Sequence, residues 1–201
     1  MQIAVRSLLY CLLVFLFAVN VHAEAVLDIA GQNVEVGNRY VILPEVRGAG
    51  GGVTIGSGVN NSCAAGVVQD SNEVSDGTPV IFLPVNASKE DVHTSTDMRI
   101  EFSPVSIIDD GDCSLSTRWQ LSSFPGRKTR YLLSTGEEGS FFKIAKSDAA
   151  AGYFFQFCPS GCMNCRFFCG DVGIYNDDNV RRLALRDAPF RVRFKKVSAH
   201  V

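Results

Sequence analysis

The sequence predicts an all-β domain that is stapled by disulfide bonds. Residues 98–102 and residues 190–194 alternate apolar and polar side chains at a period of two, which is typical of half-buried antiparallel strands. Further short runs rich in β-branched and aromatic residues recur between clusters of turn-forming Gly, Asp and Asn. No stretch beyond the N-terminal segment shows a helical period, so the prediction contains strands and turns only.

The remaining strands follow from short apolar runs that turn formers separate. Predicted strands cover residues 40–43, 80–83, 131–133, 141–144 and 153–157. Predicted turns cover residues 48–52, 76–77, 109–111, 136–139 and 177–179. Strands at this spacing favour a barrel or a sandwich, and periodicity alone does not distinguish a sandwich from a trefoil barrel. No change of composition marks a linker, so we expect one domain.

The N-terminal segment has the pattern of a secretory signal peptide. Arg6 supplies a positive charge, residues 8–19 are almost entirely apolar, and Val21 to Ala23 ends on the small residue that signal peptidase reads. We expect residues 1–23 to be removed and the mature domain to cover residues 24–201. The alternative is an uncleaved membrane anchor, for which the apolar run is short.

Composition and residue inventory exclude several functional classes. Charged residues make up 20% of the chain and the formal net charge is -2, so nothing predicts nucleic-acid binding. The mature chain contains only His93 and His200, and no spacing supports a Ser, His and Asp triad or a paired-carboxylate site. The glycine run at residues 48–52 lacks the Lys-Ser/Thr ending of a P-loop. We therefore expect no enzyme activity and no cofactor.

The cysteine count predicts a disulfide framework. The chain has seven cysteines, and Cys11 lies in the expected signal peptide. The six that remain are Cys63, Cys113, Cys158, Cys162, Cys165 and Cys169. Six cysteines allow 15 pairings, and their spacing does not choose among them. The last four could form a zinc site, but an oxidising compartment favours disulfides, so we expect no metal.

Two glycosylation sequons lie in polar, turn-like surroundings. They begin at Asn60 and at Asn86. Because sequons in exported proteins mark surface loops when they are used, we expect both asparagines to carry glycans.

Several motifs, in the same order and over the whole mature chain, resemble the plant Kunitz-type (soybean trypsin inhibitor) family. The N-terminal motif has Asp28 and Gly31 followed by Tyr40, and the only tryptophan is Trp119 within Ser-Thr-Arg-Trp. The matching C-terminal segments are residues 157–159, 169–174, 181–185 and 189–190. The cysteine block and residues 86–97 are most similar to the miraculin-like branch of that family.

The resemblance implies a fold, a disulfide pairing and a type of partner. The family fold is a β-trefoil with twelve strands in three pseudo-repeats. The implied disulfides are Cys63–Cys113, Cys158–Cys169 and Cys162–Cys165. The implied partner is a protease, of the serine type or, as the alternative, of the cysteine type, and the implied function is endopeptidase inhibition in plant defence. With no cysteine left over we expect a monomer, secreted to the apoplast or the vacuole and without membrane contact after signal cleavage.

Family inhibitors act through an exposed, substrate-like loop whose P1 side chain enters the S1 pocket of the protease. Alignment on Phe82 and residues 100–102 places this reactive loop at residues 84–91. Its central residues are Asn86, Ala87, Ser88, Lys89 and Glu90, and the P1 residue is Lys89 or, with a one-residue gap, Ser88. A lysine at P1 matches the acidic S1 pocket of trypsin-like proteases.

Three features distinguish this loop from that of a trypsin inhibitor of the family. Acidic Glu90 and Asp91 follow Lys89, and the sequon at Asn86 lies within the loop. The family resemblance also implies an asparagine at position 36 that braces the loop, and this chain has Val36 there. The alternative function is therefore a non-inhibitory binding or storage protein on the same scaffold.

Overall fold

The computed structural model describes residues 23–58, 64–86, 90–103, 116–124, 131–147, 152–160 and 169–198. These residues contain twelve strands, the number that the family resemblance implies. The strands are β1 Tyr40–Pro44, β2 Val53–Gly56, β3 Gly66–Gln69, β4 Val80–Pro84, β5 Met98–Phe102, β6 Trp119–Ser123, β7 Tyr131–Thr135, β8 Lys143–Lys146, β9 Tyr153–Phe157, β10 Gly170–Asp177, β11 Val180–Arg186 and β12 Val192–Lys196. No helix within the described residues is long and apolar enough to cross a membrane.

All strand pairs of the sheet are antiparallel, and strands distant in sequence meet at its centre. The hydrogen-bonded order is β2-β3-β7-β11-β10-β9-β12-β1-β4-β5, with β6 beside β7 and β8 beside β9. The C-terminal strand β12 pairs with β1 over five residues, from Tyr40 opposite Lys196 to Pro44 opposite Val192. This pairing joins the first strand to the last. The segment that precedes β1 meets the segment that follows β4, where the amide of Val36 donates to the carbonyl of Glu90 at 2.7 Å.

Aromatic side chains from distant strands fill the core. Phe82, Phe155 and Phe194 come from β4, β9 and β12, and their ring centroids lie 5.3–6.4 Å apart. Trp119 of β6 packs edge-on against Phe155 at 5.5 Å. Because each of these residues points inward at a period of two along its strand, burial selects a single register for the sheet.

The structure confirms the predicted strands and adds those that the sequence pattern did not reveal. The strand predicted at residues 153–157 has the predicted bounds. The strand predicted at residues 141–144 begins at Lys143, and the one predicted at residues 190–194 begins at Val192. This shift follows from pairing, because Val192 lies opposite the last residue of β1. Strands β2, β3, β6, β10 and β11 were absent from the prediction. The predicted turn at residues 109–111 lies outside the described residues.

Candidate functional site

The predicted reactive loop leaves the β4–β5 hairpin at one end of the sheet. Strands β4 and β5 pair over five residues, and the last pair is Pro84 opposite Met98. Beyond it, the backbone amide of Val85 donates to the carbonyl oxygen of Asp97 at 2.9 Å. The segment between the two strands is therefore closed at its base, and its described residues Val85, Asn86 and Glu90 are exposed.

The C-terminal arm of this loop is inserted into the N-terminal segment of the chain. The amide of Val26 donates to the carbonyl of Val92 at 2.9 Å, that of Val92 to Val34 at 2.7 Å, and that of Val34 to Val26 at 2.7 Å. These three hydrogen bonds form a closed ring. All three valines are completely buried, so their backbone groups have no access to water and depend on one another. The ring fixes the loop arm to the core.

Two further contacts from the N-terminal segment reach the residues just after the predicted P1 position. The amide of Val36 donates to the carbonyl of Glu90 at 2.7 Å. The side-chain amide of Asn33 donates to Oδ2 of Asp91 at 2.7 Å. The valine at position 36 thus supports the loop through its backbone, while its side chain packs against the hydrophobic core.

The opposite side of the loop is held by strand β8 and the end of β9. The amide of Ser95 donates to the carbonyl of Ile144 at 2.9 Å. The carboxylate of Asp97 accepts a hydrogen bond from the amide of Ser160 at 2.9 Å and lies 3.5 Å from Nζ of Lys143. Residues 90–97 are therefore supported from three separate parts of the chain.

Two exposed ion pairs lie beside these supporting contacts. Lys196 lies 2.7 Å from the carboxylate of Glu35, and Lys146 lies 2.7 Å from that of Glu24. The hydrogen bond from Lys196, together with its charge, lowers the pKa of Glu35, and Lys146 lowers the pKa of Glu24 in the same way. The partner carboxylates raise the pKa of both lysines. Glu35 also forms a β-bridge with Asp91, so one of the pairs adjoins the loop directly.

The structure describes only part of the predicted site. Asn86 and Glu90 lie between β4 and β5 and are exposed. Ala87 and both P1 candidates, Ser88 and Lys89, lie outside the described residues, as does the sequon at Asn60. The contact between Asn33 and Asp91 was not predicted. The sequence signal that could have suggested it is an asparagine three residues before position 36.

One disulfide is present in the described residues. It joins Cys158 at the end of β9 to Cys169 just before β10, which is the pairing that the family resemblance implies for these two cysteines. A disulfide-bonded sulfur is not available as a thiolate ligand, so the alternative four-cysteine zinc site loses two of its ligands. Cys63, Cys113, Cys162 and Cys165 lie outside the described residues, and the described ones contain no group of three or more residues suited to hold a metal.

The chain matches a known family over most of its length. The sequence model of the legume Kunitz family, described as trypsin and protease inhibitor, matches residues 26–196. Kunitz trypsin inhibitor 5 of Arabidopsis thaliana is 39% identical, and the match covers 86% of each chain. The 21 kDa seed protein of Theobroma cacao is 37% identical over 92% of this chain and 86% of its own. Miraculin of Synsepalum dulcificum is 36% identical over 85% of this chain and 82% of its own.

Solved structures of similar sequence share the fold. A Kunitz-type trypsin inhibitor from Cicer arietinum superposes with a TM-score of 0.75 at 32% identity, covering 87% of this chain and 99% of its own. The Kunitz-type cysteine protease inhibitor PCPI-3 from potato gives 0.72 at 29% identity, covering 89% and 100%. Soybean trypsin inhibitor in complex with porcine pancreatic trypsin gives 0.71 at 25% identity, covering 87% and 100%. The twelve strands therefore form a β-trefoil, as the resemblance implied.

Proposed function

Because this chain belongs to the Kunitz-type trypsin and protease inhibitor family, we propose that it inhibits an endopeptidase through the loop at residues 84–91. The observation that carries the proposal is the support of the loop arm. Residues 90–92 accept or donate three backbone hydrogen bonds to the N-terminal segment, each of 2.7–2.9 Å. A loop held in this way loses little conformational entropy on binding, which is what a substrate-like inhibitor requires.

In this proposal Lys89 is the P1 residue and Ser88 is the alternative. The lysine ammonium would form charge-assisted hydrogen bonds in the acidic S1 pocket of a trypsin-like protease. The support on the C-terminal side of Lys89 would hold Glu90 and Asp91 in place, so that the C-terminal half of the loop stays in the protease cleft. The chain itself would contribute no catalytic group, cofactor or metal, and it would act as a monomer.

The target is expected to be a serine protease, and a cysteine protease is the alternative. The relative from Arabidopsis thaliana and the structural neighbour from Cicer arietinum are both named as trypsin inhibitors. The structural neighbour from potato is named as a cysteine protease inhibitor on the same fold. The fold therefore accommodates both target classes, and the loop sequence has to distinguish them.

We further propose that the protein reaches the apoplast or the vacuole through the secretory pathway. Removal of residues 1–23 would leave Glu24 as the first residue of the domain. Its carbonyl accepts a hydrogen bond of 2.8 Å from the amide of Thr94, so the proposed new N-terminus lies against the loop arm. Glycans on Asn60 and Asn86, and disulfides between Cys63 and Cys113 and between Cys162 and Cys165, complete the proposed mature form. A role in plant defence fits these properties.

A second candidate function is a non-inhibitory binding or storage protein. The relatives from Theobroma cacao and Synsepalum dulcificum are named as a seed protein and as miraculin, so neither name denotes an inhibitor. The acidic residues Glu90 and Asp91 and the sequon at Asn86 also oppose tight docking of this loop to trypsin.

An inhibition panel separates the two functions. The glycosylated and the enzymatically deglycosylated protein would each be titrated against trypsin, chymotrypsin, subtilisin and papain. Inhibition of at least one protease by either form supports the proposed function. If neither form inhibits any of the four, the binding or storage function replaces it.

A further inference from the structure

We propose that residues 45–50, the loop between β1 and β2, form a second protease-binding loop in which Arg47 is the P1 residue for a trypsin-like serine protease. This proposal takes only the class of target from the proposed function. Its loop, its anchor residue and its supporting contacts are all different from those of residues 84–91.

The tip of this loop is exposed and carries an unpaired cation. Val46 is 69% exposed, and Arg47, Gly48 and Ala49 are exposed as well. Within the described part of the chain, Arg47 forms no hydrogen bond, ion pair or ring contact. Its guanidinium is therefore available to a carboxylate on a partner, and arginine in such a position is a typical energetic anchor of protein interfaces.

Both ends of the loop are fixed to neighbouring segments. The amide of Glu45 donates to the carbonyl of Arg191 at 3.0 Å, and the amide of Gly51 donates to the carbonyl of Asp70 at 2.8 Å. Gly51 also lies so close to the neighbouring loop that a Cβ there would approach the carbonyl oxygen of Asn72 to 2.2 Å. A side chain at this position would push the two loops apart, so the close approach depends on the glycine.

A buried glutamine side chain, Gln69, supports the loop from the interior of the protein. The side-chain amide of Gln69 donates to the carbonyl oxygens of Ala49 at 2.9 Å and of Gly51 at 3.1 Å. Gln69 is only 3% exposed, and its own Oε1 accepts a hydrogen bond of 2.8 Å from Nε of Arg181. Because Arg181 occupies the oxygen, the amide nitrogen can only face the loop. Two loop carbonyls are thus held by a fixed donor before any partner binds.

This support differs from that of the loop at residues 84–91, where the side-chain amide contact from Asn33 to Asp91 is exposed. Val36 occupies the position where the family resemblance implies a bracing amide side chain, whereas Gln69 provides such a side chain beneath residues 45–50. The residues after Lys89 are acidic, whereas Gly48 and Ala49 after Arg47 are small and neutral. An acidic residue next to the scissile position adds charge that the protease must desolvate, and a small neutral one does not.

The shape of the surface around the loop also suits insertion into a protease cleft. A hollow of about 410 Å³ has Arg47 and Val74 in its wall. A second hollow of about 390 Å³ is bounded by Val46 and Phe190. The loop therefore borders two depressions, which can receive the rims of a protease cleft.

The free loop departs from an extended substrate at Gly48 and at Gly50, whose φ angles are +94° and +98°. The φ of Gly48 is the one next to the scissile bond, and no atom lies within 4 Å of the position that a Cβ would take there. Docking as a substrate requires this φ to become negative, and glycine makes that change at little cost because both regions are open to it. Gly48→Ala adds no clash and disfavours the bent form, so it should preserve or tighten trypsin binding.

The test isolates Arg47 by first removing the other loop's anchor. Trypsin inhibition constants would be measured for Arg47→Ala alone, for Lys89→Ala alone, and for Lys89→Ala in combination with Arg47→Ala, Gly48→Ala or the control Arg193→Ala. Arg193 is exposed on β12 and controls for the loss of a surface charge. Thermal melts would establish that every variant is folded. We expect Lys89→Ala to retain trypsin inhibition, Arg47→Ala to weaken it by at least roughly thirtyfold, and Arg193→Ala to leave it unchanged.

The possible results separate this proposal from the proposed function. If Lys89→Ala abolishes trypsin inhibition, the second loop is overturned while inhibition through residues 84–91 stands. If Lys89→Ala retains inhibition and adding Arg47→Ala leaves it unchanged, the second loop is also overturned, and neither Lys89 nor Arg47 is the anchor. Rapid cleavage after Arg47 with release of active trypsin would show a substrate and would also overturn it. If Arg47→Ala alone abolishes trypsin inhibition, the proposal holds and Lys89 is not the P1 residue.

Discussion

The side-chain amide of Asn33 and the carboxylate of Asp91 are joined by a hydrogen bond of 2.7 Å across 58 residues of sequence. Asn33 lies in the hairpin before β1, and Asp91 lies on the arm of the proposed reactive loop. The hydrogen bond is exposed, so its contribution is expected to be modest, at about 0.5–1.5 kcal/mol.

Asn33→Ala should therefore weaken inhibition of the target protease by roughly two- to tenfold, because the loop would lose a support that is present before binding. Inhibition constants for Asn33→Ala, Asp91→Ala and the double variant form a cycle that isolates the contact. The effects of the two single changes should not add. Strict additivity would show that the two side chains act separately on the loop.

Lys89→Ala should weaken trypsin inhibition through the loop at residues 84–91 by at least roughly thirtyfold, because it removes the anchor from the S1 pocket. Measurement in the Arg47→Ala background excludes any contribution from the loop between β1 and β2. Ser88→Ala is the matched control, since it changes the other P1 candidate without removing a charge. A larger effect of Ser88→Ala would assign P1 to position 88.

Asn86→Gln should strengthen inhibition if a glycan on Asn86 shields the loop. The substitution keeps the amide but destroys the sequon. Inhibition constants of the variant and of the enzymatically deglycosylated wild type should agree. Equal inhibition by glycosylated wild type and by the variant would exclude shielding by a glycan at this position.

Val36→Asn should strengthen inhibition and lower stability at the same time. The new amide could donate to the loop, but the side chain at position 36 packs against the core, where an imperfectly paired polar group costs about 1–3 kcal/mol. Inhibition constants and urea midpoints measure the two effects. Val36→Ala controls for lost packing, because it removes apolar contacts without adding a donor. If both variants inhibit equally, the asparagine does not brace the loop.

Replacing Cys158 and Cys169 together by serine should reduce the free energy of unfolding by about 3 kcal/mol, since the bond closes a loop with a sequence separation of 11. Under the proposed pairing, loss of Cys63–Cys113 should cost more, at about 4 kcal/mol, and loss of Cys162–Cys165 much less. Urea unfolding of the three paired variants tests the ranking. A different order would contradict the proposed pairing or the loop-entropy explanation.

Acidification should weaken the support of the loop arm through the pair of Glu35 and Lys196. The pKa of Glu35 is lowered in the folded state, so the pair stabilises the fold fully above the ordinary value of 4.5. That contribution disappears as the pH falls through the lower folded-state pKa. Both side chains are about half exposed, so the effect is small and weakened by salt.

Urea midpoints of wild type and Lys196→Gln, measured from pH 7 to pH 3 at low salt, should converge as the pH falls. Lys143→Gln provides a comparison at a lysine that contacts a different part of the loop. A constant difference between wild type and Lys196→Gln over the whole range would show that the pair does not titrate with Glu35.

Part of the strand pattern and the even cysteine count were accessible from the sequence, because they depend on local alternation and on residue type. The position of the predicted loop rests on the family resemblance and stays a prediction. The period of two at residues 98–102 predicts β5 correctly, since each inward side chain there is buried. Strand β3, by contrast, is buried along all four of its residues, so it shows no alternation and was not predicted. Bounds such as the start of β12 depend on the partner strand, which the local pattern does not reveal.

The hydrogen bonds that support residues 90–97 and residues 45–50 were decided by tertiary structure alone. Asn33 meets Asp91, and Gln69 meets Ala49, only because antiparallel pairing brings distant segments together. In the sequence, Gln69 is one polar residue at the end of an apolar run, with no sign that its amide is buried beneath another loop. A hydrogen bond between residues far apart in the chain leaves no local pattern, because its geometry exists only once the sheet has closed.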